Sequence, residues 1–240
     1  MSDVLPRSTR AAHDLRTVIF ERGVAPYAEG SCLVSFGQTR VLCTATVEEA
    51  VPDWRKNANA GWVTAEYSML PRATHKRTRR ERGSVGGRTQ EIQRLIGRAL
   101  RASMDMRLLG ERQVIVDCDV IVADGGTRTA SITGGAVALQ EACRWLLRQG
   151  KIAAMPMREL VAAVSVGVVG GEPRVDLEYS EDVIADVDMN LVALESGGLV
   201  EVQGTAEHNS YSRKELDVLL DLGLGGIAKL IELQHKTLGS

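Results

Sequence analysis

The sequence predicts an α+β protein built from two similar halves, each a run of strands followed by helices. Two observations carry this. Segments that alternate apolar and polar residues, or that string β-branched residues together, give way twice to segments with apolar residues at three- and four-residue spacing. At 240 residues the chain can bury a substantial core, as one large domain or two small ones fused closely. No low-complexity segment separates the halves. The pattern restarts after residues 150 to 158, giving a first half over residues 10–150 and a second over residues 158–240.

In the first half, alternation predicts strands at Thr17–Glu21, Ser31–Phe36, Val41–Val47 and Trp62–Tyr67, with Gly37 and Gln38 turning a hairpin. From Gly87 to Leu100, Ile92, Leu95, Ile96, Ala99 and Leu100 share one helical face, Thr89 is available to cap the start, and Arg94, Arg98 and Arg101 line the opposite face. Gln113–Ala123 is long, β-branched and apolar on both parities except at Asp117 and Asp119, the pattern of a central strand. A second helix is expected from about Ser131 to Leu147, stopping at Gly150. In the second half the same reasoning gives strands at Leu160–Val169, Arg174–Leu177, Asp186–Leu194 and Leu199–Gln203. The last helix begins at Ser212, which has Glu215 at capping-box spacing.

Composition removes several function classes. A formal net charge of −2 means that affinity for nucleic acid must come from a local patch. Cys32, Cys43, Cys118 and Cys143 lie far apart in apolar segments with no C-x-x-C pair, which argues for core thiols and against zinc or a disulfide framework. The N-terminus carries no apolar signal region, and the longest apolar run, around Leu160 to Val169, is too short for a bilayer. A soluble cytoplasmic protein with no membrane partner is therefore expected.

The segment Asp124-Gly-Gly-Thr-Arg-Thr-Ala-Ser-Ile-Thr-Gly-Gly135 lies between a strand and a helix start, where unpaired N–H groups and the helix dipole favour an anion. Gly125 and Gly126 allow close backbone approach, Thr127 offers a hydroxyl and Arg128 a planar fork for phosphate. The Walker spacing and its lysine are absent. An ordinary tight turn with a solvent-facing arginine has the same composition. Arg88 also follows a glycine pair and opens a helix, so two helix starts can each bring one arginine to a shared anion.

Between Arg72 and Arg88 the basic residues Arg72, Lys76, Arg77, Arg79, Arg80, Arg82 and Arg88 outnumber the single acid Glu81. Such a stretch reads first as a loop that grips a phosphate backbone, with a solvated surface loop or a subunit contact as the lesser alternative. Aromatics are scarce, so base stacking is a minor term. Asp186, Asp188 and Asn190 alternate onto one strand face, with Asp182 in the turn before them, a grouping that suits Mg²⁺ with a substrate phosphate and, by pattern alone, equally suits a solvated strand face. Asp117 and Asp119 are a rival pair that spacing cannot rank. His13, His75, His208 and His235 have no metal-ligand spacing, and no serine or cysteine sits in a nucleophile elbow, so the nucleophile comes from solution.

Five ordered segments resemble the bacterial ribonuclease PH family: Gly61-Trp-Val-Thr-Ala-Glu-Tyr67, Gly87 to Arg98, Ala123 to Gly134, Glu181-Asp182 with Val187-Asp-Met-Asn190, and Val200 to Glu207. The similarity runs from about Arg10 to the C-terminus. It implies the RNase PH fold, which resembles the second domain of ribosomal protein S5, assembled as a homohexamer (a trimer of dimers) to which the Arg94, Arg98 and Arg101 stripe could contribute contacts. It also implies a phosphorolytic 3′-to-5′ exoribonuclease that trims transfer-RNA precursors and other RNA 3′ ends, not DNA, using inorganic phosphate as co-substrate and releasing nucleoside diphosphates. Phosphate binding is carried over to Arg88, Gly126, Thr127 and Arg128, and the acidic catalytic pair to Asp182 and Asp188, the expected Mg²⁺ ligands. RNA binding is expected at Arg72, Lys76, Arg77, Arg79 and Arg80. Residues 54–60, the slightly short loop around Glu81 to Gly86, Val122 and the stretch His208 to Tyr211 depart from the family pattern. Two other readings remain: a non-catalytic RNA-binding ring subunit, and a Mg²⁺-dependent hydrolytic nuclease using the same aspartates.

Overall fold

Alternating, β-branched sequence in the first half forms strands β1 (Val18–Arg22), β2 (Gly30–Phe36), β3 (Thr39–Glu48), β4 (Trp62–Met69) and β5 (Gln113–Val122) of a computed structural model that describes residues 10–81, 83–207 and 210–239. Arg82 and His208 lie outside the described residues. The strands are ordered β1-β2-β3-β5-β4. All neighbours are antiparallel except β4 and β5, which run parallel because the chain crosses between them through helices α1 (Gly87–Ala102) and α2 (Met106–Leu109). Helix α3 (Thr127–Arg148) follows β5. The second half supplies β6 (Val161–Val169), β7 (Glu172–Val175), helix α4 (Tyr179–Asp182), β8 (Val187–Leu194), β9 (Leu199–Ala206) and helix α5 (Arg213–Leu238). Its sheet is antiparallel in the order β7-β6-β8-β9.

All the expected strands form, with ends displaced by a few residues, and α5 starts from the full capping box of Ser212 and Glu215. Three local expectations are corrected. Helix α3 begins at Thr127 and not near Ser131, because left-handed Gly126 (φ 66°) ends the loop and leaves the following residues free to turn helical. Thr89 does not cap α1: the extended residue is Gly86, so Thr89 is already the third helical residue and its hydroxyl donates to Glu81 Oε1 (3.1 Å). Strand β5 is central but has only one fully buried face, since Val114, Val116, Cys118 and Val120 are buried while Ile115, Asp117 and Asp119 are half-buried. The arginine stripe is also broken up. Arg98 pairs with Glu201, and Arg101 turns back to donate to Val63 O (2.8 Å) and lie over the Trp62 ring.

One continuous apolar core contains residues of both sheets, and α1 and α3 touch both. The inner part of α3 is buried from Thr129 to Leu139, which small residues make possible. A Cβ on Gly134 would lie 2.9 Å from Val34 Cβ and 3.1 Å from Cys43 Sγ. The four cysteines are free and buried, Cys32, Cys43 and Cys118 side by side on β2, β3 and β5. Burial pushes the Cys32 and Cys143 thiols up to about 12, so they remain neutral packing groups.

An ion-pair knot ties the two halves together. Asp176, between β7 and α4, is buried and lies at φ 56°, a left-handed angle that few non-glycine residues other than Asn and Asp adopt. Its carboxylate accepts from Arg16 three times, from the backbone N (2.7 Å), Nε (3.0 Å) and Nη2 (2.6 Å). Arg16 in turn donates from Nη1 to Asp124 O (2.6 Å), and Arg10 Nη2 donates to Asp176 O (2.6 Å). Gly125 sits against the second half so closely that a Cβ there would lie 2.5 Å from Leu177 O. Asp176→Ala leaves a buried guanidinium without its counter-charge and is expected to lower stability by about 3–5 kcal/mol, read from the midpoint of urea denaturation.

Candidate active site

The loop after β5 leads directly into the N-terminus of α3. Gly125 (φ 75°) and Gly126 (φ 66°) are both left-handed, and together they turn the chain into the N-terminus of α3. No side chain caps that end, so the first amides of α3 remain directed at the space beyond it. Thr127 is the first helical residue, and its Oγ1 lies 2.9 Å from the Tyr67 hydroxyl on β4. Arg128 is mostly buried and held from one side, its Nη1 donating to Gln203 Oε1 on β9 (2.9 Å) and approaching Glu91 Oε1 on α1 (3.4 Å). Gln203 Nε2 donates to the same Glu91 oxygen (2.8 Å), so three elements fix the orientation of one guanidinium. Arg88, in the first turn of α1, is exposed.

These groups face the acidic residues across a cavity of about 640 Å³. Its wall includes Arg88, Gly126, Thr127 and Arg128 from the first half and Asp182, Asp188, Asn190 and Glu207 from the second. Asp182 ends α4 and Asp188 lies near the start of β8. Asp182 opens to solvent, yet desolvation by the cleft walls still raises its pKa against the pull of Arg128 and Arg88. Asp188 is more enclosed: desolvation first, and then the charge of Asp182, push its pKa up from 3.8 to about 6 despite Arg128.

The two carboxylates form the donor set that Mg²⁺ takes, one or two protein carboxylates with the remaining positions left to water and substrate phosphate. Both carry unfavourable desolvation that a cation relieves, so the residues fit such an ion. Among the described residues no group of three or more His, Cys, Asp or Glu forms a metal cluster.

Other expectations separate. Asp186 precedes β8 and is exposed outside the cavity wall, so of the alternating trio only Asp188 and Asn190 face the cleft. Asp117 and Asp119 lie on the other face of β5 from Cys118 and outside this cavity, where burial raises both pKa values. Of the basic loop, Lys76 reaches the cavity wall, while Arg72, Arg77, Arg79 and Arg80 are exposed outside it. His75 also lines the wall. Tyr67, Glu91, Gln203, Tyr179 and Glu207 were not singled out individually by sequence reasoning. Tyr67, Glu91, Gln203 and Glu207 fall inside the segments that carry the family resemblance, which was the available signal.

No helix among the described residues is long and apolar enough to cross a membrane. Residues 14–144 match the 3′ exoribonuclease family, domain 1, and residues 159–226 match domain 2 of that family. The chain is 57% identical over 234 residues to a ribonuclease PH of Methylobacterium nodulans, covering 97% of this chain and 99% of the relative. It is 58% identical over 233 residues to that of Methylorubrum populi, covering 96% and 98%. The structure of the Archaeoglobus fulgidus exosome with RNA bound to the active site matches at TM-score 0.80 and 24% identity, over 93% of this chain and 90% of that one. Rice Rrp46 matches at TM-score 0.78 and 18% identity, over 96% and 98%, and both likenesses identify the RNase PH fold. On this ground the chain belongs to the ribonuclease PH family of 3′ exoribonucleases.

Proposed function

We propose that Arg88, Gly126, Thr127 and Arg128 bind the attacking phosphate, and that Asp182 and Asp188 form the acidic half of the same active site. The enzyme is a phosphate-dependent 3′-to-5′ exoribonuclease that processes transfer RNA, with inorganic phosphate as co-substrate. The observation that carries the residue assignment is that these six residues, drawn from both halves of the chain, line one cleft. Residues 10–150 then form the unit that carries the phosphate site and basic loop, and residues 158–240 the unit that carries the acids. A hydrolytic nuclease would leave the cradle without a purpose, and a scaffold would need neither cradle nor acids.

Two phosphate charges about 4 Å apart repel by roughly 4 kcal/mol per unit-charge pair at an effective dielectric near 20. Each charge-assisted hydrogen bond returns roughly 1.5–3 kcal/mol, so Arg88, Arg128, Thr127 and the α3 amides together offset what one arginine could not. Phosphate held there attacks the terminal phosphodiester and releases a nucleoside diphosphate. Asp182 and Asp188 would hold Mg²⁺, which when bound neutralises charge on the reacting phosphate oxygens. In the alternative without a bound cation, Asp188, whose carboxyl burial favours in the protonated form, would instead donate a proton to the departing 3′-oxygen. Arg72, Lys76, Arg77, Arg79 and Arg80 grip the RNA backbone on its way to the cleft, a role that their exposure permits. The working form is a homohexameric ring in the cytoplasm, acting on transfer-RNA precursors.

A 5′-labelled, 3′-extended transfer-RNA precursor is expected to shorten only when phosphate is supplied, with diphosphates released; monophosphates released without phosphate would overturn the reading. Arg128→Ala should lower kcat/KM for phosphate by about 10- to 100-fold, the worth of one charge-assisted hydrogen bond, as measured in initial rates. Light-scattering chromatography should return six chains per particle, and a monomer would sink the ring.

The pH dependence of stability reports the acid pair. Between its ordinary 3.8 and about 6, Asp188 keeps in the folded chain a proton that the unfolded chain has released, so its contribution to stability falls as pH rises through that window. With divalent cations chelated, Asp188→Asn should be more stable than the native chain by about 1–2 kcal/mol at pH 8, as measured by urea denaturation. The difference should vanish below about pH 4, where both states hold the proton.

A further inference from the structure

The Tyr67 phenol has no role in the chemistry assigned so far, yet it reaches the anion cradle. It sits on the core-facing side of β4, opposite Cys118 of β5, and only 5% of it is exposed. Its hydroxyl lies 2.9 Å from Thr127 Oγ1, a separation that either proton could bridge. That is the one hydrogen bond of the phenol among the described residues. Thr127 Oγ1 is equally uncommitted: it caps nothing at the start of α3, and Tyr67 is its sole side-chain partner among the described residues.

Each hydroxyl has a single proton to give, so the direction of this bond decides what the Thr127 oxygen presents to the cleft. If Thr127 donated to Tyr67, its lone pairs would face the incoming anion and repel it. If Tyr67 donates, the Thr127 proton is released toward the cleft, where an anion oxygen accepts it. The bond therefore has a preferred polarity whenever the cradle is filled.

We infer that Tyr67 is a positioning residue for the attacking phosphate, donating its proton to Thr127 Oγ1 so that the Thr127 hydroxyl serves as a donor to the anion. The inference rests on residues 126–128 being the phosphate cradle. The phenol keeps its proton throughout the working range, because burial raises its pKa against the opposing pull of Thr127, Arg88 and Arg128. Neutral hydrogen-bond energetics make the effect modest and selective: Tyr67 acts on phosphate alone, and RNA is untouched by it.

The test is steady-state phosphorolysis of a 3′-extended transfer-RNA precursor by the full-length enzyme, with phosphate and RNA varied separately. Tyr67→Phe removes one oxygen and keeps the ring, so the melting temperature should stay near native. It should raise the KM for phosphate by about threefold to tenfold and leave the KM for RNA unchanged. Thr127→Val should do at least as much, and Tyr67→Phe should add nothing in the Thr127→Val background. A phosphate KM within twofold of native, an equal rise in the RNA KM, or independent effects in the double variant would each overturn the inference. Arg128→Ala, assayed alongside, separates this from the cradle itself. If it raises the phosphate KM while Tyr67→Phe does not, only the role of Tyr67 falls; if it leaves that KM unchanged, the cradle and the inference fall together.

Discussion

The buried carboxylate of Asp176 is the constraint on which the rest of the molecule depends. It sits in the second half, at a left-handed backbone angle, and is saturated by an arginine from the N-terminal segment of the first half. Because the same Arg16 also holds Asp124 O, the ion pair fixes the loop that opens α3 relative to the strand that leads into α4. Around it, Arg10 and Arg174 both reach Glu181, whose side chain accepts from the Glu178 backbone and so closes the first turn of α4. The loop that opens α3 and the turn that carries Asp182 are thus the two ends of one hydrogen-bonded junction. An ion pair of this kind contributes less to net stability than to fixing a single arrangement, and a single arrangement is what a cleft shared by two halves requires.

Across that cleft, burial outweighs the pull of the nearby arginines on the two acids. Burial raises the pKa values of Asp182 and Asp188, the charge of Asp182 raises that of Asp188 further and Glu207 adds to both, while Arg88 and Arg128 oppose the shift. Arg128 is held by Gln203 and Glu91, so its charge is aimed without being fully neutralised by a bidentate partner. Such a site favours the arrival of an anion on one wall and of a proton or a cation on the other. The helix that supplies Arg88 also supplies Glu91, and the strand that supplies Gln203 pairs with the one that supplies Asp188, so shifting any one element disturbs both walls.

Much of this was legible in advance. The strand segments, the hairpin at Gly37 and the capping box at Ser212 follow from patterns within a few residues, where local sterics and hydrogen bonding dominate. The misses share a cause. Helix α4 is only four residues long, too short for periodicity to reveal, and it exists because Glu178 and Glu181 close its turn beside the ion-pair knot. The uncapped start of α1 depends on where the chain becomes extended, which Thr89 cannot dictate from inside the helix. The rival acids Asp117 and Asp119 could not be ranked by spacing, since strand alternation gives the same facing to any such pair.

The sequence by itself determined the order of the strands and long helices and, through five ordered segments, the family. Those depend on residue type and short-range spacing. Only the tertiary structure decided that Arg128 is steered by Gln203 and Glu91, that Tyr67 meets Thr127, and that Asp188 lines one cleft with Thr127 and Arg128. Each of these joins residues that are tens of positions or more apart, and their meeting depends on sheet register and on the buried contacts that dock one half on the other, which no local pattern encodes.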